Sequence, residues 1–168
     1  MNGTLYRALA GALMVGACTA AMAANDGQVR TSQLLGSDPE YRETWQDVVN
    51  KEERLPDWVI NLSGFSRSTS APSATSAPND QMTTVAEDGD KYLVGQLCET
   101  EPSCASARLI VAFSWDKDDA YGLLVTVPAG LPADKSPSRH TDKRWLGKPD
   151  KGMQQMLEEQ LKNDPNYY

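Results

Sequence analysis

The residues of this chain best placed to do chemistry are two cysteines and what they enclose, Cys98-Glu99-Thr100-Glu101-Pro102-Ser103-Cys104. A close thiol pair serves metal binding or a disulfide, and the compartment decides between them. Closed as a disulfide, it fixes a tight loop that loses little conformational entropy on docking against another surface. Glu99, Thr100, Glu101, Pro102 and Ser103 include two carboxylates, a stiffening proline and small polar side chains, with nothing large to pack inward. That content favours a partner-binding loop. The alternative is a staple that only stiffens a hairpin tip, contributing roughly 2–3 kcal/mol for a short loop.

Other candidates for chemistry are weaker. His140 is the sole histidine, in an exposed-looking Ser-Arg-His-Thr-Asp stretch. Asp116, Asp118 and Asp119 carry carboxylates at close spacing but lack the later Gly and bidentate Glu of a calcium loop, and read as a solvated turn. Glu99 and Glu101 have the chemistry of an acid–base pair, yet no adjoining substrate cleft is marked. The chain has no G-x-S-x-G, P-loop, H-E-x-x-H or paired C-x-x-C motif. No catalytic residue, metal or cofactor is expected, and the chain reads as a non-enzyme.

Compartment is set by the N-terminus. Arg7, an apolar run from Ala8 and the Ala21-Met22-Ala23 site form a secretory signal peptide over residues 1–24, too short to span a bilayer. A single domain then covers 25–168, and the expected location is the periplasm, where a Cys98–Cys104 disulfide is favoured. Val15-Gly16-Ala17-Cys18 also resembles a loose lipobox, so lipid anchoring at Cys18 is the minor alternative. The formal net charge of -7 argues against nucleic acid or anionic lipid as partner. It suits a basic protein partner, or simply solubility.

Several elements must position the loop. Asp38 caps and Pro39 opens a helix in which Tyr41, Trp45, Val48 and Val49 share a face, with Ser37 and Glu40 at capping-box spacing and Leu55-Pro56 as its end. Ser66 to Pro78 reads as a surface loop and Glu87-Asp88-Gly89-Asp90 as a turn. Lys91–Leu97, Ala107–Trp115 and Tyr121–Val127 read as successive strands, so the bracketed segment lies at a hairpin tip. Lys143–Gly147 suggests a further strand. A last helix begins at Asp150, aligns Met153, Met156, Leu157 and Leu161, and stops at Asn163-Asp164-Pro165. The predicted fold class is α+β, an antiparallel meander sheet with helices packed on one face.

In order and spacing these elements resemble the periplasmic inhibitors of vertebrate lysozyme, the Ivy-type family, from about Leu55 to Leu161. The resemblance rests on Leu55-Pro56-Asp57-Trp58-Val59, the strand from Tyr92 ending in Cys98, and the bracketed loop. Arg108-Leu109-Ile110-Val111 with Phe113-Ser114-Trp115, Gly122-Leu123 and Trp145-Leu146-Gly147-Lys148-Pro149 complete it. It implies an α+β inhibitor, often dimeric, whose cysteine-bracketed loop enters the active cleft of c-type lysozymes. The implied partner is a muramidase or lysozyme-like enzyme, including lytic transglycosylases and lysozyme-like toxins, with a homodimer possible. The family's usual loop is Cys-Lys-Pro-His-Asp-Cys, whose histidine meets the enzyme's catalytic carboxylates. Here the loop is one residue longer, with Glu99 and Glu101 and neither His nor Lys, so the histidine's role passes to no residue. A non-inhibitory periplasmic binding protein of the same fold is the competing expectation.

Overall fold

The structure, a computed structural model, describes residues 29–62, 75–76, 81–98, 106–132, 134–164 and 167. Its first elements are helices α1 (Thr31–Ser37), α2 (Pro39–Asn50) and α3 (Asp57–Asn61). Strands β1 (Thr75–Ser76), β2 (Thr83–Glu87), β3 (Asp90–Cys98), β4 (Ala107–Ser114), β5 (Ala120–Thr126) and β6 (Asp142–Leu146) follow, and α4 (Lys151–Lys162) comes last. All strand pairs are antiparallel; β3, β4, β5 and β6 form the meander, while β1 and β2 both pair with β3. The α+β class and the meander are as the sequence predicts.

The placement of helices on one face is corrected. Leu97, Leu109, Val111, Phe113 and Leu124 pack against Leu34, Tyr41, Trp45, Val49 and Trp58 of α1–α3. On the opposite face, Val94, Ile110, Ala112, Leu123 and Val125 pack against Met153, Met156, Leu157 and Leu161 of α4. The cause is visible in β4, where all eight residues are buried. A strand without polar alternation needs cover on both faces, and Leu109-Ile110-Val111-Ala112-Phe113 has none.

Local chemistry explains the element ends. Asp38 accepts the Glu40 N–H at 3.0 Å and Pro39 opens α2. Ser37 takes no part in a capping box, because its hydroxyl donates to the Gln33 carbonyl at 2.7 Å in the preceding helix. The helix α2 ends at Asn50, earlier than the Leu55-Pro56 end expected from sequence, and Pro56 instead precedes α3. The β2–β3 turn has positive φ at Asp88 and Gly89, the backbone of a tight hairpin whose twist matches its strands. Asp150 caps α4 by accepting the Met153 N–H at 2.8 Å. Within the expected Ser66–Pro78 loop, Thr75–Ser76 forms a strand; the rest of that stretch lies outside the described residues.

One strut joins the β4–β5 turn to the start of α2. Lys117 Nζ lies 2.9 Å from Asp38 Oδ2 and 2.5 Å from Glu40 Oε2, and 5.2 Å from the centre of the Tyr41 ring. The Glu40 and Asp38 hydrogen bonds hold the Lys117 ammonium above its ordinary pKa. Partial burial pushes Asp38 up, but the Lys117 hydrogen bond and the Glu40 N–H outweigh it and leave that carboxyl below its usual value. The sheet end farthest from the cysteine-bracketed segment is thereby fastened.

Candidate functional site

The expected site residues Glu99, Thr100, Glu101, Pro102 and Ser103, with Cys104, lie outside the described residues, as do the expected signal peptide and Cys18. What is described is the frame from which that segment departs. Cys98 ends β3 and pairs in register with Arg108 of β4; on its other side it pairs with Thr75 of β1. Cys98 is fully buried. Just before β4, the Ser106 carbonyl accepts the Val127 N–H at 2.7 Å, extending the β4–β5 ladder beyond the strand ends.

Side-chain alternation decides what lies beneath the strand ends. Val94, Gln96 and Cys98 point to the α4 face, as do Arg108, Ile110 and Ala112 across the ladder. On that face Arg108 is fully buried and forms an ion pair with Asp164, just beyond α4. The same Asp164 Oδ2 accepts a hydrogen bond from Gln96 Nε2 at 2.5 Å. The Arg108 guanidinium lies 5.4 Å from the centre of the Tyr167 ring, and the Tyr167 and Thr141 hydroxyls are 3.2 Å apart. Burial pushes the Arg108 guanidinium's pKa down, while Asp164 opposes that push.

Reading the sequence alone places Arg108 in a strand and Asp164 at a helix stop, and misses their pairing. A signal exists, since a charged residue inside the apolar run Ala107–Phe113 needs a buried counter-charge. Its partner is not legible, because Asp164 is distant in sequence and α4 brings it back across the sheet.

At the other end of the sheet, a groove of about 950 Å3 lies between α2 and the β4–β5 turn, lined by Glu43, Asp47, Asp116, Asp118, Asp119 and Lys148 among others. Asp116 is held below the usual carboxylate range by the Ser114 hydroxyl and the Asp118 N–H. That is the reverse of what a general acid needs. Asp119 donates its N–H to Ser114 Oγ at 2.9 Å, so these residues build the turn predicted from their spacing. His140 is exposed at the end of a 3-10 turn, Pro137–Arg139, its N–H bound to the Pro137 carbonyl at 3.0 Å.

Comparison with known proteins bears on the same frame. The family described as Inhibitor of vertebrate lysozyme (Ivy) matches residues 40–163, which include α2, the whole meander and α4. An uncharacterized protein of Pseudomonas aeruginosa is 50% identical over 98% of this chain and 99% of its own. A second protein of that organism, named Inhibitor of vertebrate lysozyme, is 34% identical over 99% of both chains. An uncharacterized protein of Yersinia pestis is 36% identical over 82% of this chain and 80% of its own. The family match runs through the strand ends at Cys98 and Arg108 and both helices that flank the meander in sequence, and the chain belongs to the inhibitor of vertebrate lysozyme (Ivy) family.

Proposed function

We propose that this protein is an exported, non-enzymatic inhibitor of a peptidoglycan-cleaving muramidase of the lysozyme type. It grips the enzyme through Glu99–Ser103, clipped by a Cys98–Cys104 disulfide. The observation that carries this reading is the full-length similarity to a relative named as a lysozyme inhibitor. The burial of Cys98 at the end of β3, where the bracketed segment begins, supports the clipped loop. Two adjacent antiparallel strands, one of them covered on both faces, make a rigid mount, so the segment they carry needs little further ordering to bind.

Target choice follows from the loop's charges. A lysozyme cleft presents catalytic carboxylates, and Glu99 or Glu101 brought against them is repulsive unless a proton is shared. The preferred target is therefore a muramidase whose cleft supplies a protonated acid or a cation to Glu101, a lytic transglycosylase or a lysozyme-like toxin ahead of a vertebrate c-type lysozyme. Long-range attraction between the acidic chain and a basic enzyme assists encounter without fixing the pose.

The lack of a histidine between Cys98 and Cys104 supports a second reading, a non-inhibitory periplasmic binding protein of this fold. A cell-wall clearing assay separates the two. The purified mature protein is titrated into a panel of lytic transglycosylases, lysozyme-like toxins and c-type lysozymes. Stoichiometric inhibition of one class is expected; a flat panel favours the second reading, and wall cleavage by the protein alone contradicts both.

A further inference from the structure

A buried carboxylate beneath the strand ends has a geometry that stability alone does not explain. Asp164 accepts from Gln96, two residues before Cys98 on β3, and from Arg108, which faces Cys98 on β4. One side chain therefore ties together the two strands that carry the bracketed segment, at their last rungs. It is delivered from outside the sheet, by the chain leaving α4, and the Tyr167 ring of that same tail lies 5.4 Å from the Arg108 guanidinium. Among the described residues, the buried contacts elsewhere on this face are apolar side chains from α4, with the part-exposed Lys143–Glu158 ion pair at its β6 edge.

Energetics argue that such an arrangement does more than hold the fold. Desolvating a guanidinium and a carboxylate costs about what their attraction returns, and an apolar replacement of both is often neutral or stabilising. What the pair adds over apolar packing is direction. A one-residue slip between β3 and β4 would turn Gln96 or Arg108 away from Asp164 and strand a buried charge. The carboxylate accepts from both strands in a single register.

We propose that Asp164 is a positioning residue for the partner-binding segment. Delivered by the C-terminal tail, its carboxylate sets the spacing and direction of the strand ends at Cys98 and Arg108, so the tail governs how tightly the protein grips its muramidase. This rests on the reading that Glu99–Ser103 make the contact.

The test uses the full mature chain, with Asp164→Asn and the double variant Arg108→Met/Asp164→Leu. Two quantities are measured: the inhibition constant against a muramidase that the wild type inhibits, and backbone hydrogen exchange along β3 and β4. For Asp164→Asn, exchange at Leu97, Cys98 and Leu109 is expected to rise about tenfold beyond that at Val111 and Ala112, with inhibition weakened about tenfold. The double variant is expected to recover thermal stability without recovering inhibition, a split that a purely structural role does not give. Should Asp164→Asn fail to fold, Gln96→Met removes half of the tie without unpairing a charge, and about a threefold weakening with the same exchange pattern is expected. Uniform exchange along both strands, or wild-type inhibition by the double variant, overturns the proposal. If the wild type inhibits no muramidase, the functional reading fails, and the exchange pattern still decides whether Asp164 positions the strand ends.

Discussion

Cys98 and Arg108 face each other across the last described rung of the β3–β4 ladder, both fully buried and both on the α4 side of the sheet. The Cys98 sulfur and the cation held by Asp164 are thus neighbours in one row. Removing the cation alone leaves Asp164 buried without its charge partner. Arg108→Met by itself is therefore expected to destabilise by about 3–5 kcal/mol, measured by urea unfolding. A change under about 1 kcal/mol would mean that water reaches Asp164 and that the pair is not a buried tie.

Acid stability should depend on Asp38. Its folded pKa is depressed below 3.8, so its stabilisation is present above that value and is lost as pH falls through the folded pKa. Asn caps helices about as well as Asp, so Asp38→Asn removes the charge with little loss of the cap. The variant is expected to lose less stability than wild type on acidification below about pH 4, in thermal melts over that range. Equal acid slopes for the two proteins would contradict the role given to the Lys117 strut.

Vertebrate c-type lysozyme should be held loosely. The acidic chain attracts a basic enzyme, but in the proposed pose Glu99 and Glu101 would meet carboxylates in the cleft, so association is expected to weaken steeply between low and physiological salt. Inhibition assays across ionic strength check this. Nanomolar inhibition that persists at high salt would show that the glutamates do not face the catalytic carboxylates.

Proton linkage offers a separate probe of Glu101. If Glu101 meets a carboxylate of the cleft at hydrogen-bonding distance, the two share a proton, so one pKa is higher in the complex than in the free proteins and binding retains or takes up a proton. The gain is present at low pH and is lost as pH rises through the complexed pKa. Affinity is expected to fall from mildly acidic to mildly basic conditions, and Glu101→Gln to flatten that fall. Calorimetry in buffers of different ionisation enthalpy measures the uptake, and proton release would place Glu101 outside the cleft.

Much of the frame was legible because local chemistry dictates it. The α2 face of Tyr41, Trp45, Val48 and Val49, the α4 face of Met153, Met156, Leu157 and Leu161, and three meander strands are all found where their periodicity puts them. The helix α1 was not legible, because Leu34 and Leu35 are too few apolar residues to set a period. Strand β2 had a signal in Thr83-Thr84-Val85 ahead of the Asp88-Gly89 turn, yet its polar, half-exposed residues resemble a loop. Two-sided cover of β4 is written in its unbroken apolar run, which departs from the one-faced helix cover usual for an antiparallel sheet of this class. The Arg108–Asp164 tie depended on tertiary return of the tail, which no local pattern encodes.

The most direct test of the account replaces Thr100–Ser103 with a Gly-Ser segment of equal length, keeping Cys98 and Cys104, and measures the inhibition constant against the muramidase that the wild type inhibits best. A folded variant whose inhibition is weakened about a hundredfold or more, roughly 2.7 kcal/mol, is the expected result. A folded variant that inhibits as well as wild type would place the inhibitory surface elsewhere on the molecule and contradict the account.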